Sequence, residues 1–148
     1  MSWDRYFIQM SQLVASKSKD RSTKVGCVIV GPDNEVRSTG YNGFPRGIDD
    51  KIEARHERPV KYQWTEHAER NAIYNAARAG ISTGGCRIFL QWFPCVDCAR
   101  AIIQSGICEV VALPVDLANP RWVESFQTSR EMLEEAGVIL RYVAEECQ

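Results

Sequence analysis

The chain has 148 residues, 45% hydrophobic and 25% charged, with a formal net charge of −1. That length and balance suit one soluble domain spanning residues 1–148, with a core large enough to stand without disulfide staples. They argue against a global basic field for nucleic acid or an anionic membrane, and no apolar run reaches the length of a membrane span.

Taken in chain order, Trp3, Tyr6, Met10, Leu13 and Val14 recur at helical spacing and predict a first amphipathic helix ending near Ser18. Its charges run throughout, unlike a signal peptide. Val25 to Val30 is a β-branched run stopped by Gly31-Pro32-Asp33-Asn34, and Val36 to Tyr41 follows, so a two-stranded hairpin is expected. From Asn42 to Tyr62 there is little apolar periodicity. Breaks at Gly43, Pro45 and Gly47, then the charged run Asp49 to Arg58, predict a long loop of the kind that serves a substrate or an effector.

Thr65 can cap a helix from Glu66 to about Ala79, with Ala68, Ala72, Ile73 and Ala76 on its inner face and Gly80 closing it. Cys86 to Gln91 reads as a buried strand leading through Trp92-Phe93-Pro94 into a helix over Cys95 to Ser105. Ala99, Ile102 and Ile103 form that helix's inner face, and Gly106 ends it. Glu109 to Leu113 is the next strand, and Pro114 to Pro120 a connection. Trp122, Phe126, Leu133 and Ala136 mark a last helix closed by Gly137, with Val138 to Val143 as the final strand. Strands alternating with helices after residue 65 imply parallel pairing beside an antiparallel hairpin. The expected fold is a three-layer α/β/α class with a five-stranded mixed sheet.

Two stretches carry chemistry: His67-Ala68-Glu69 and Pro94-Cys95-Val96-Asp97-Cys98. Cys95 and Cys98 stand three apart, so both sulfurs can face one ion from a first helical turn. A helix N-terminus favours thiolate over thiol. His67 supplies a third ligand of the type zinc takes, and a catalytic zinc keeps its fourth position for water. Glu69, roughly 200° further round a helix than His67, is poorly placed as a fellow ligand and well placed to line the pocket as a general acid and base. A lone C-x-x-C would serve equally as a structural pair. Combined with H-x-E at an independent helix start, it favours catalysis.

The remaining candidates have plainer readings beside the functional one. Six cysteines without a secretory leader point to reduced thiols and a cytoplasmic compartment. Cys27 reads as a small buried hydrophobe. Cys86, Cys108 and Cys147 matter because any of them, as a fourth ligand, would close the site. His56 sits in the charged loop as a solvated or loop-bonding side chain. Trp92 or Phe93 can wall a planar base or belong to the core. Asn42 can bond a sugar hydroxyl or simply make its turn. A monophosphate needs several charge-assisted donors. Arg21-Ser22-Thr23-Lys24, Arg46 and the Arg55–Lys61 segment can each supply them, with Ser22, Thr23 and Lys24 preferred because they feed the first strand.

The H-x-E…P-C-x-x-C arrangement resembles that of zinc deaminases of cytosine and adenine. Over most of its length the chain resembles the deoxycytidylate (dCMP) deaminases of the cytidine deaminase superfamily. The stretches that carry this are Ser18-Lys19-Asp20, Val25-Gly26-Cys27-Val28-Ile29, Gly40-Tyr41-Asn42-Gly43-Phe44-Pro45-Arg46-Gly47, His67 to Ile73 and Phe93 to Ala99, continued by Ile102 to Ile107. The resemblance implies zinc on His67, Cys95 and Cys98, Glu69 as proton shuttle, and Asn42 on the sugar. It also implies a homo-oligomer, often a hexamer, activated by dCTP and inhibited by dTTP. The chain departs from the family at Arg70, where relatives usually carry Leu. The activity expected is hydrolysis of dCMP to dUMP and ammonia, with Ala68 lining the base pocket. A base within RNA or single-stranded DNA would call for a basic track and stacking platforms, against which the near-neutral charge speaks. A non-catalytic zinc module would require a fourth protein ligand on the metal.

Overall fold

Five buried residues, Gly26–Val30, form strand β1, antiparallel to Val36–Tyr41 (β2) on one side and to Arg87–Leu90 (β3) on the other. The computed structural model describes residues 1–114 and 120–144. Beyond β3, strands Glu109–Ala112 (β4) and Ile139–Tyr142 (β5) continue the sheet in parallel, giving the order β2-β1-β3-β4-β5. The mixed five-stranded sheet expected from the alternation is therefore present. The hairpin turns where the Gly-Pro-Asp-Asn signal lay: Gly31 N–H donates to the Glu35 carbonyl at 2.8 Å, and Asn34 adopts a left-handed φ of 63°.

Helix α1 (Trp3–Ala15) covers one sheet face alone. Its buried stripe is Phe7, Ile8, Ser11 and Ala15; of the expected face Met10 and Val14 pack half-buried beside it, while Trp3, Tyr6 and Leu13 stay exposed. Two contacts decide the rotation. Phe7 packs on Phe89 with ring centroids 4.9 Å apart. At Gly26 a Cβ would stand 2.2 Å from the Ser11 carbonyl oxygen, so this backbone approach needs glycine. Trp3 and Leu13 remain 57% and 72% exposed.

The opposite face carries helices α3 (Ala68–Ala79), α4 (Val96–Gln104) and α5 (Pro120–Glu135) over a core of Ile29, Ile88, Leu90, Ile102, Val110 and Leu133. Each such side chain contributes about 1.5–3 kcal/mol by leaving water. Three layers result, α1, sheet, and α3 to α5. The alanines of α3 lie on β2 at close range, as expected: a Cβ on Gly40 would meet the Ala72 nitrogen at 2.3 Å. Ser38 Oγ donates to the Ala72 carbonyl at 2.7 Å, and the Asn71 and Asn75 amides donate to the Tyr41 and Thr39 carbonyls at 2.8 Å. These bonds strap the helix to the strand.

Two local expectations are corrected. Thr65 does not cap α3; it ends a one-turn helix, Lys61–Trp64 (α2), and His67 occupies the cap position in extended conformation. The cause is a bridge between Gly43 and Glu66, whose backbone groups exchange hydrogen bonds of 3.1 and 2.8 Å and hold the chain extended up to His67. The stretch from Asn42 to Tyr62 is also less irregular than expected, since a 3-10 turn over Glu53–His56 precedes α2. At the other end, Phe126 and Leu133 pack in the core as expected and Gly137 closes α5 with a φ of 82°. The expected role of Trp122, the connection 115–119 and Cys147 lie outside the described residues.

Candidate active site

The site is built by two chain reversals at one end of the sheet. His67 caps α3, and Cys95 caps α4 after β3 has delivered Gln91 to Pro94. The His67 side chain makes no capping bond to α3 and turns instead toward the two cysteine sulfurs. Pro94 is held from behind: Ser129 of α5, fully buried, donates its hydroxyl to the Pro94 carbonyl at 2.7 Å. Nothing in the sequence separates Ser129 from an ordinary helical serine, and it was not foreseen.

His67 Nδ1 lies 3.4 Å from both Cys95 Sγ and Cys98 Sγ, and the three ligand atoms fall within 4.8 Å of one another. A tetrahedral zinc with Zn–S about 2.3 Å and Zn–N about 2.0 Å separates S from N by about 3.5 Å. The donor set therefore fits the ion in type, number and spacing. Among the described residues no other group of three His, Cys, Asp or Glu side chains could hold a metal. Cys27 is buried and donates to the Ala68 carbonyl at 3.1 Å, and Cys108 turns to the Gly85 and Cys86 carbonyls, so neither closes the site.

The three ligand side chains bear on one another's protonation. The hydrogen bond from Cys98 pulls the Cys95 thiol down to about 4, against burial and with help from His67. The same bond and burial hold Cys98 far above its ordinary value. His67 is raised by its bond with Cys95. Glu69 is 6% exposed. Burial raises its carboxyl above the usual range, with Cys98 and His67 opposing. It sits beside the ligands without joining them, as the spacing predicted.

The remaining sequence candidates divide. Ala68 is buried as the first residue of α3, and Phe93 is buried against Phe126 and Tyr142, while Trp92 is 47% exposed. Asn42 is buried and staples the hairpin to the preceding loop: its Oδ1 accepts from Val25 N–H at 2.8 Å and its Nδ2 donates to the Thr23 carbonyl at 2.9 Å. Ser22 and Thr23 N–H both donate to Asp20 Oδ1. The three candidate phosphate segments turn out not to be separate places. Arg21, Ser22, Arg46 and Lys61 line one cavity of about 270 Å³ with Lys17, Lys19 and Asn42, whereas Thr23 and Lys24 lie outside its lining. Arg55 instead stacks over Trp64 at 4.0 Å, and His56 stacks on Phe44 with ring centroids 4.8 Å apart. The pair Asp20–Lys61, at 3.4 Å with side chains 10% and 12% exposed, joins two loops and was not foreseen. A second, more apolar cavity of about 270 Å³ lies between Phe93, Phe126, Arg130 and Tyr142.

A three-layer fold with a His/Cys/Cys triangle at two helix starts and a buried carboxylate beside it defines a zinc-site enzyme of the deaminase class. Residues 1–113 match the family described as the cytidine and deoxycytidylate deaminase zinc-binding region, and the chain belongs to that family. It is 44% identical to an "Uncharacterized deaminase in luxG 3'region" of Aliivibrio fischeri, over 92% of this chain and 90% of that protein. It is 36% identical to the deoxycytidylate deaminase of Mus musculus, over 95% of this chain and 79% of the relative. In structure it is similar to the dCMP deaminase of cyanophage S-TIM5 in complex with dCMP and dUMP. That match has a TM-score of 0.75 at 23% identity over 94% of this chain and 95% of that one, a likeness of fold.

Proposed function

We propose that the protein, acting as one domain over residues 1–148, hydrolyses dCMP to dUMP and ammonia, with zinc on His67, Cys95 and Cys98. The observation that carries the reading is the buried Glu69 carboxyl set beside, and outside, a three-ligand triangle. The choice of substrate is supported by the names of the mouse relative and of the cyanophage enzyme. His67, Cys95 and Cys98 would hold the zinc, which would supply an acidified water as nucleophile. Glu69 is placed to take a proton from the water and deliver it to ring N3 as the water oxygen bonds C4, then to carry the proton of the resulting C4 hydroxyl to the departing amine. The C4–N bond breaks, the oxygen stays on C4 as the carbonyl, and ammonia leaves.

Substrate contacts belong to the same reading. Asn42 keeps one amide N–H for a sugar hydroxyl after bonding Thr23. Ala68 opens α3, so its N–H has no intrahelical acceptor and can bond the base. Trp92 and Phe93 supply the apolar wall, and of the preferred phosphate residues Ser22 lines the cationic cavity while Thr23 and Lys24 stand outside it. The finer expectations belong to this reading as well. Control by dCTP and dTTP is supported by the cavity with Lys17, Lys19, Arg21, Arg46 and Lys61 on its walls. A homo-oligomer, a hexamer in the finer form of this reading, is supported by the exposed Trp3 and Leu13 on α1. A cytoplasmic location is supported by the free thiols of Cys27, Cys86, Cys95, Cys98 and Cys108.

Ammonia release from cytosine, deoxycytidine, dCMP, dCTP and a cytosine-containing oligonucleotide tests the proposal. The highest kcat/KM is expected for dCMP. Turnover of the oligonucleotide with none on free nucleotides would overturn the substrate class, and a zinc content near zero in the active protein would overturn the mechanism.

A further inference from the structure

Helices α3 and α4 pack on each other, and charged side chains also join their two ligand-bearing starts. Glu66 immediately precedes His67, and Asp97 lies between Cys95 and Cys98. Arg70, one turn into α3 with a side chain only 18% exposed, reaches both. Its Nε donates to Glu66 Oε1 at 2.5 Å, and its Nη1 stands 3.7 Å from Asp97 Oδ2. The Glu66 Oε1 that accepts from Arg70 also accepts the His67 backbone N–H at 3.1 Å. Arg100 holds Asp97 from its other side.

We infer that Arg70 is a positioning residue for the metal: its guanidinium links Glu66 to Asp97 and thereby fixes the His67 ring at bonding distance from the two sulfurs. A guanidinium suits this task because its planar fork presents donors in two directions, which an ammonium cannot do. Partners outside the ligand set that orient metal ligands typically govern metal affinity by about 10–100-fold. This inference rests on the zinc reading of the site.

The test compares wild type with Arg70→Leu and Arg70→Lys by chelator competition for zinc, alongside thermal unfolding of the chelator-stripped proteins. Arg70→Leu should weaken zinc binding about 10–100-fold, while unfolding of the stripped proteins shifts little. Arg70→Lys should recover only part of the loss, because it keeps the charge and loses the bridge. In Asp97→Asn the leucine replacement should cost less than in wild type. Equal zinc affinity of Arg70→Leu and wild type would overturn the inference while leaving the site intact. So would a full rescue by Lys, which would assign the effect to charge alone. A wild-type protein that binds no zinc would instead overturn the site itself.

Discussion

His67, Glu69, Cys95 and Cys98 come from two short stretches, and each stretch enters the site where a helix begins. The cavity beside Asn42 is made differently, from loops spread between Lys17 and Thr65 that meet through ion pairs such as Asp20–Lys61 and Arg21–Glu53. In the first region local backbone geometry places the chemistry: a cap residue points off its helix, and residue spacing fixes what stands beside it. In the second, local turns such as the one at Asp20 shape single segments, and the cations face one space only because distant segments fold onto each other. A function carried by spacing survives loop variation, whereas one carried by loop assembly can drift in specificity while the reaction is kept.

The largest expected effect tests the spacing side of this contrast. Glu69→Gln should keep the fold and bind zinc stoichiometrically yet lose about 10²–10⁴ in kcat, the usual contribution of a positioned proton carrier. Metal analysis and ammonia release on one preparation check both halves. If turnover is retained, Glu69 is a helix-start glutamate and the contrast collapses.

Gly40→Ala probes how strictly backbone packing sets this region. The added methyl would sit 2.3 Å from the Ala72 nitrogen and 2.4 Å from the Ala68 carbonyl oxygen, so α3 must shift. Overpacking of this kind costs about 1–3 kcal/mol. Denaturant unfolding should show that loss, with a fall in zinc affinity because His67 rides on the same helix. A stable variant with weakened zinc binding would mean that α3 slides as a unit.

How much could be read beforehand follows the same division. The gathering of His67, Cys95 and Cys98 beside Glu69, the hairpin and the mixed sheet were legible because motif spacing, turn residues and strand alternation are local signals. The face of α1 was misjudged since Trp3 and Leu13 fit the period as well as Phe7 and Ile8 do. Only the approach permitted by Gly26 and the contact with Phe89 separate the two faces. Thr65 looked like a cap because its bridge-forming neighbour, Glu66, pairs with Gly43, more than twenty positions away. The convergence of Arg21, Arg46 and Lys61 on one cavity, and the support of Pro94 by Ser129, are tertiary events without a local signature.

Acid should loosen the loop-built region in advance of the global transition. Burial pushes the Asp20 carboxyl up, but the N–H groups of Thr23 and Ser22 and the ammonium of Lys61 outweigh it, leaving the group below its ordinary value. A depressed folded value means stability that is present above the unfolded pKa of about 3.9 and is lost as pH falls through the folded one. Amide exchange of Ser22 and Thr23 should therefore quicken below about pH 4, and Asp20→Asn should show the quickened exchange already at neutral pH. Exchange that follows global unfolding at every pH would argue that the cavity is as firmly built as the metal end.

The smallest effect is expected at Arg46, which bonds Asn75 Oδ1 at 2.7 Å on the rim of the cavity and touches none of the metal ligands. If the cavity receives phosphate, Arg46→Ala removes one charge-assisted bond of about 1.5 kcal/mol, a change of roughly tenfold in affinity. Where that change appears tells which nucleotide uses the cavity. A tenfold higher KM for dCMP with deoxycytidine unaltered would make it the substrate's phosphate site. An unaltered KM with a tenfold higher dCTP concentration for activation would make it an effector site, coupled to the metal end through Asn42 and the Gly43–Glu66 bridge. Equal kinetics with all three ligands would leave Arg46 as a clamp on α3, and the cavity's cations as partners for its own carboxylates.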